Sequence, residues 1–171
     1  MDIELRNRYL FSQKLVKEVG EIALDFYLNR NELKIECKKG DLQDQVSIAD
    51  KTVEAKIKDA LKSHFPQDGF LGEESGAENL ACEYCWVVDP IDGTSSFLYG
   101  LNAWCISIAI LHKNQIVCGV IFDPVHKELF RAMKGDGAFL NDHPIRASSS
   151  ISLKEGLIGL GVSHRIHPNT F

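Results

Sequence analysis

Asp89 and Asp92 stand three residues apart in the stretch WVVDPIDGTSSF, residues 86–97, and Gly93-Thr94-Ser95-Ser96 follows directly. Two carboxylates delivered together at the end of an apolar run repel each other and lose hydration, so the spacing calls for a cation between them. The Gly-Thr-Ser-Ser stretch suits the opposite charge. Free backbone N–H groups at a helix start, with hydroxyl caps beside them, attract an anion such as phosphate. Upstream, Glu73 and Glu74 sit between Gly72 and Gly76. Glu73, Asp89 and Asp92 thus come from two separated loops and can converge on one ion. Mg2+ takes hard oxygen ligands and keeps several waters, so a few carboxylates, a backbone carbonyl and a substrate phosphate complete its shell. The carbonyl of Ile91 is a natural donor. Together these features point to metal-assisted phosphate chemistry.

The same residues also fit a plainer reading, an Asp-rich turn in which Asp89 or Asp92 caps a helix and the glutamates are solvated. Thr94 has two compatible jobs, capping the helix or orienting an attacking water. Asp50 falls at the start of a helix, where the dipole favours an acid; it gains catalytic interest if it lies near Thr94. Cys82 and Cys85 form a lone C-x-x-C. Zinc needs four ligands and only His164 and His167 are on hand to complete the set, so plain reduced thiols are expected. The pair does not open a helix, and a redox role is not expected of it. His112, His126 and His143 lie beside turn-like residues and read as surface groups, and Lys38 and Lys39 as solvated charges. Paired carboxylates also serve glycosidases, but a neutral sugar has no use for the adjoining anion site.

The elements that must position these groups follow from periodicity. Apolar residues at Leu5, Tyr9, Val16, Val19, Ala23 and Phe26, broken only by Ser12, predict a long amphipathic helix over Leu5–Tyr27. A weak strand is expected at Leu33–Cys37, then a polar turn at residues 38–41. A second helix should run from Ala49 to Phe65, burying Val53, Ile57, Leu61 and His64, with Glu54 and Lys58 paired on its outer side and Pro66 stopping it. Trp104–His112 and Gln115–Phe122 read as a β-hairpin buried on both faces, joined by Lys113-Asn114. Further strands are expected at Lys127–Met133, within Phe139–Ile145 around an Asn141-Asp142 turn, and at Gly156–Val162. Two helices followed by mostly antiparallel strands give an α+β layered fold, with residues 1–171 as a single domain.

Composition narrows the partners. The chain has 171 residues, 44% of them apolar and 25% charged, with 19 basic against 24 acidic side chains for a net charge of −5. It can bury a core. With no basic block and no zinc-finger spacing, nucleic acid is not expected as a partner. An acidic protein that handles phosphate must recruit positive charge, and a divalent cation is the obvious source. The polar start MDIELRNRYL lacks a signal-peptide core, and the longest nearly apolar run, 103–111, is too short to span a bilayer, so no membrane role is expected. Five cysteines, an odd number, fit reduced thiols in the cytoplasm.

DQVSIAD (44–50), LGEES (71–75) and WVVDPIDGTSSF, in this order and at these separations, resemble the inositol monophosphatase family of Mg2+-dependent, Li+-sensitive phosphatases. The resemblance covers essentially the whole chain and implies a sugar-phosphatase-like sandwich, two N-terminal helices packed on the sheet. It implies that Glu73 binds a first metal, Asp89 bridges the first and second, the Ile91 carbonyl completes the first, and Asp92 binds the second. Gly93 and Thr94 would offer N–H groups to phosphate, beside Asp92 in the substrate site. Thr94, hydrogen-bonded to Asp50, would position the attacking water, with Glu74 supporting from outside the ligand set. Family members continue to a Trp-Asp motif whose aspartate completes the second metal site, and to a downstream acid that holds substrate hydroxyls. Trp86 and Trp104 are the only tryptophans here, so the C-terminal portion is expected to be missing. The resemblance implies inositol monophosphate as substrate and a homodimer. The alternatives are a histidinol-phosphate phosphatase or a truncated, catalytically weak metal-binding fragment. Only 14 residues separate Glu74 from Asp89, little room for the elaborations a nucleotide substrate needs.

Overall fold

The structure, a computed structural model, describes residues 2–32, 35–37 and 45–157, and for 35–37 and 45–46 only the course of the backbone. Helix α1 (Ile3–Leu28) starts at Asp2, whose carboxylate accepts the Glu4 N–H at 3.0 Å. Of the expected stripe, Tyr9, Val16, Val19 and Ala23 are buried and Leu5 and Phe26 half-buried; Ser12, the break in it, is buried too. Its hydroxyl donates to the Tyr9 carbonyl at 2.8 Å, so the helix's own backbone satisfies it. Tyr27, rather than Phe26, is the buried aromatic at the far end.

Helix α2 (Ile48–His64) opens at Ser47 and stops before Pro66. Val53, Ile57 and Leu61 are buried as expected, but His64 is exposed, its ring tilted against that of Phe11 with centroids 4.5 Å apart. Glu54 corrects the expectation of an outer Glu54–Lys58 pair. Its side chain is buried at 2% exposure, and Lys58 turns instead to Glu78 at 2.6 Å. Two inner backbone N–H groups, described below, hold Glu54 more firmly than a solvated ammonium can.

Strands β1 (Ile35–Cys37) and β2 (Gln45–Ser47) form a small antiparallel pair ahead of α2. The turn expected at 38–41 lies outside the described residues. The main sheet comprises β3 (Gly69–Gly72), β4 (Gly76–Glu78), β5 (Tyr84–Asp92), β6 (Cys105–His112), β7 (Gln115–Asp123), β8 (Glu128–Met133), β9 (Gly137–Leu140) and β10 (His143–Ile145). Its order is β10-β9-β8-β7-β6-β5-β3-β4, antiparallel throughout except where β3 meets β5. Lys113 and Asn114, at φ 51° and 63°, supply the left-handed pair that a two-residue hairpin turn needs between β6 and β7. Gly156 and Leu157 are not in a strand, and the rest of that expected strand, with His164 and His167, lies outside the described residues.

The helices cover one face only, α1 lying across β6, β7 and β8 and α2 against β5. Ile106, Ile108, Ile110, Val120 and Phe122 are buried beneath them. The hairpin is therefore not buried on both faces: Ile121 is 42% exposed and Ile116 71%. Alternation along a strand sends every second side chain to the opposite face, and no described element packs there. On the helical side, Arg8 donates from Nε and Nη2 to the two oxygens of Asp68, each at 2.8 Å, and Trp86 Nε1 donates to the same carboxylate at 2.8 Å. The Arg8 guanidinium lies 4.0 Å from the Tyr84 ring centroid. A buried ion pair with its remaining donors and faces occupied ties α1 to β5.

Candidate active site

β3 and β5 run parallel, so their carboxyl ends lie side by side, and the starts of α2 and of the short helix α3 (Thr94–Leu98) come to the same place. Open sheets bind ligands at such an end, where connections diverge. Beyond β3, the Glu73 N–H donates to the Val88 carbonyl at 3.2 Å and extends the parallel pairing by one residue. The next two amides, of Glu74 and Ser75, donate to Glu54 Oε2 and Oε1 at 2.8 and 2.7 Å. A Cβ on Gly72 would sit 2.5 Å from Glu54 Oε2, so the glycine is what lets the carboxylate reach the loop. Glu54 is the site residue that sequence reasoning missed. Its signal was an acid flanking the apolar stripe of α2, matched to a Gly-bounded loop elsewhere in the chain.

Asp89 faces Ser107 on β6 and Asp92 faces Cys105, so three steps on β5 span two on β6. This bulge around Pro90 and Ile91 re-aims the two aspartates. Ile91 keeps its side chain in the core while its N–H donates to Asp89 Oδ1 at 3.2 Å. Burial pushes the Asp89 carboxyl up to about 7, and the charges of Glu73 and Asp92 push in the same direction. A hydrogen bond with Glu73 also favours the protonated form, and the Ile91 N–H opposes it. Beside Asp92, the Cys105 thiol is held up at about 12, by burial first and then by the charges of Asp92, Asp89 and Asp123. Glu73 and Asp89 therefore meet, and Asp92 stands close enough for its charge to be felt.

Among the described residues no three His, Cys, Asp or Glu side chains are already gathered as a metal cluster. The donor set nevertheless suits a hard divalent ion. It is all oxygen, and the like charges that raise the Asp89 carboxyl are ones a cation would relieve.

Asp50 is 1% exposed and sits in a capping box, its Oδ2 accepting the Ser47 N–H at 2.9 Å and the Ser47 hydroxyl at 2.6 Å. Burial raises its carboxyl and these hydrogen bonds pull it back. Its other oxygen, Oδ1, lies 3.2 Å from Thr94 Oγ1, which is also 3.1 Å from the Ile91 carbonyl. The structure thus joins Asp50, Thr94 and Ile91, which the sequence places up to 44 residues apart. Gly93, at φ 93°, admits no ordinary side chain: a Cβ would lie 2.8 Å from the Ala103 carbonyl. Of the other candidates, Glu74 is half-buried and Asp92 exposed. His126 is hydrogen-bonded to Asp123 at 2.7 Å, His112 pairs with Glu83 at 3.0 Å, and His143 is exposed. Among the described residues no helix is long and apolar enough to cross a membrane.

Comparison with known proteins places this site in context. The profile described as the inositol monophosphatase family matches residues 4–171. The chain is 43% identical over 122 residues to an inositol-1-monophosphatase of Mesorhizobium japonicum, a match covering 71% of this chain and 46% of that one. Among solved structures, the IMPase of Thermotoga maritima superposes with a TM-score of 0.78 at 32% identity, covering 86% of this chain and 56% of that one. The extragenic suppressor protein suhB of Bartonella henselae gives 0.75 at 34% identity, covering 81% and 54%. The chain spans about half the length of the curated relatives it matches.

Proposed function

The chain belongs to the inositol monophosphatase family, and from that premise we propose that it is a Mg2+-dependent phosphomonoesterase acting on a small phosphorylated polyol, with inositol monophosphate first. The observation that carries the reading is the pairing of Glu73 with Asp89, whose carboxyl stands at about 7, next to the Thr94–Asp50 hydrogen bond of 3.2 Å. Glu73, Asp89, the Ile91 carbonyl and Asp92 would hold the metal. Mg2+, when bound, supplies charge to the phosphoryl oxygens and acidifies water. Gly93 and Thr94 present N–H groups to the phosphate, next to Asp92. Thr94 Oγ1 accepts a hydrogen bond from the attacking water while its own O–H donates to Asp50, fixing the line of attack. Glu74, on the loop that Glu54 pins, holds Glu73 in place. Lithium inhibition, a homodimer and a cytoplasmic setting belong to the same reading.

Phosphate release from inositol, histidinol and sugar phosphates, with and without Mg2+ and Li+, tests it. Asp92→Asn is expected to lower Mg2+-dependent turnover by on the order of 100-fold or more. Full activity in that variant would remove Asp92 from the metal site. A preference for histidinol phosphate would move the substrate within the family. Mg2+ binding without turnover on any ester would leave a metal-binding chain in place of an enzyme.

A further inference from the structure

We propose that Cys82 and Cys85 form a reversible dithiol–disulfide site that exchanges with low-molecular-weight disulfides, separate from the carboxylate site. Three observations converge on the pair. Gly69 and Cys85 are Cα partners in the parallel β3–β5 ladder, so their side-chain directions share one face of the sheet. Gly69 has no side chain, and Cys82 Sγ occupies the space: a Cβ built there would lie 2.5 Å from that sulfur. The Cys82 thiol is consequently in the lane beside Cys85, close enough for its charge to push the Cys85 thiol up. The segment that carries Cys82 is fixed in this position by Asn79, which turns the chain at φ 49° and donates its side-chain amide to the Gln67 carbonyl at 3.0 Å.

The two sulfurs differ in access, which sets the order of events. Cys82 is half-buried, whereas Cys85 is only 9% exposed. Burial, with Cys82 beside it, pushes the Cys85 thiol up to about 11. Cys82 therefore attacks first. Its thiolate takes one sulfur of a small disulfide, forming a mixed disulfide at Cys82 and expelling one small thiolate, which picks up a proton. Cys85, on losing its proton to solvent, attacks Cys82 Sγ and expels the second small thiolate, closing the Cys82–Cys85 bond. The protein gives up two electrons and two protons, and one small disulfide becomes two small thiols. Without a helix start to acidify either thiol, proximity rather than a depressed pKa makes the second step favourable. The site lies four residues before Asp89 on β5, about 13 Å away at the rise of a strand.

The test is to incubate the intact chain in glutathione buffers of increasing oxidised-to-reduced ratio, quench with acid, alkylate the remaining thiols and map peptides by mass spectrometry. The wild type is expected to convert the Cys82–Cys85 peptide to an internal disulfide that reduced dithiothreitol reverses. Cys85→Ser should stall as a persistent glutathione adduct on Cys82. Cys82→Ser should leave Cys85 reduced, its modification slower by on the order of tenfold or more. Circular dichroism confirms that both serine variants are folded. A wild type that stays reduced across the full range, or that stops at the mixed disulfide, overturns the proposal. So does a Cys82→Ser variant in which Cys85 reacts as fast as wild-type Cys82.

Discussion

The Thr94 hydroxyl has one proton and two oxygens within reach, Asp50 Oδ1 at 3.2 Å and the Ile91 carbonyl at 3.1 Å. It can donate to only one at a time, so the charge on Asp50 decides where the proton rests. If that hydroxyl positions the nucleophile, Thr94→Ala should lower kcat by roughly 100-fold with little change in KM, and Thr94→Ser should recover most of it. Equal losses in both variants would reassign Thr94 to capping alone. Asp89 gives a second expectation. An unfolded aspartate titrates near 3.8 and this one near about 7, so folding favours its protonated form. In chelator, its contribution to stability is full below 3.8 and is lost as pH rises through about 7. Mg2+ should therefore raise the melting temperature more at about pH 8 than at about pH 5, and Asp89→Asn should flatten the metal-free profile. A Mg2+ effect independent of pH in the wild type would separate Asp89 from the ion.

At the scale of elements, α2 does more than fill the core. Through Glu54 it holds the amides of Glu74 and Ser75 at 2.8 and 2.7 Å, and so fixes the loop that presents Glu73 to Asp89. Glu54→Ala should cost about 1–3 kcal/mol in urea unfolding and weaken Mg2+ binding by roughly 10–100-fold in calorimetry. A variant that loses stability but binds Mg2+ as tightly as wild type would make Glu54 a packing residue only. The helices were legible because their burial is periodic: Val53, Ile57 and Leu61 recur at four-residue steps, and each is buried. Glu54 was not legible. Its partners are backbone amides 20 and 21 residues away, and amides carry no residue identity that a sequence displays. Lys58, four residues on, offered a local partner of the right charge and was the wrong one. For the opposite reason Asp50 was readable as a helix-start acid, since a capping box is a local pattern.

Across the whole molecule, most strands were readable from their apolar runs and turns, and Lys113-Asn114 marked its hairpin correctly. What the chain did not disclose is the order of the sheet, because β3 takes β4 on one side and β5 on the other, and such a pairing leaves no periodic trace. The one-sided cover of the sheet was hidden too, since a run such as ISIAIL reads alike whether one face or both are packed. That single parallel junction has a consequence for local opening. β6 to β10 follow one another in an antiparallel meander, whereas β3 and the three-residue β4 form one edge of the sheet, β3 being joined to β5 through residues 73–83. Asp89 and Asp92 belong to β5, and Glu73 to the loop between β3 and β4. The carboxylate pair thus straddles the seam between the short edge pair β3–β4 and the inner strand β5, and is parted wherever that edge opens. Native-state hydrogen exchange should show β3 amides opening at lower free energy than those of β6 and β7, with Mg2+ slowing β3 selectively; uniform protection of all three would mean that the seam does not exist.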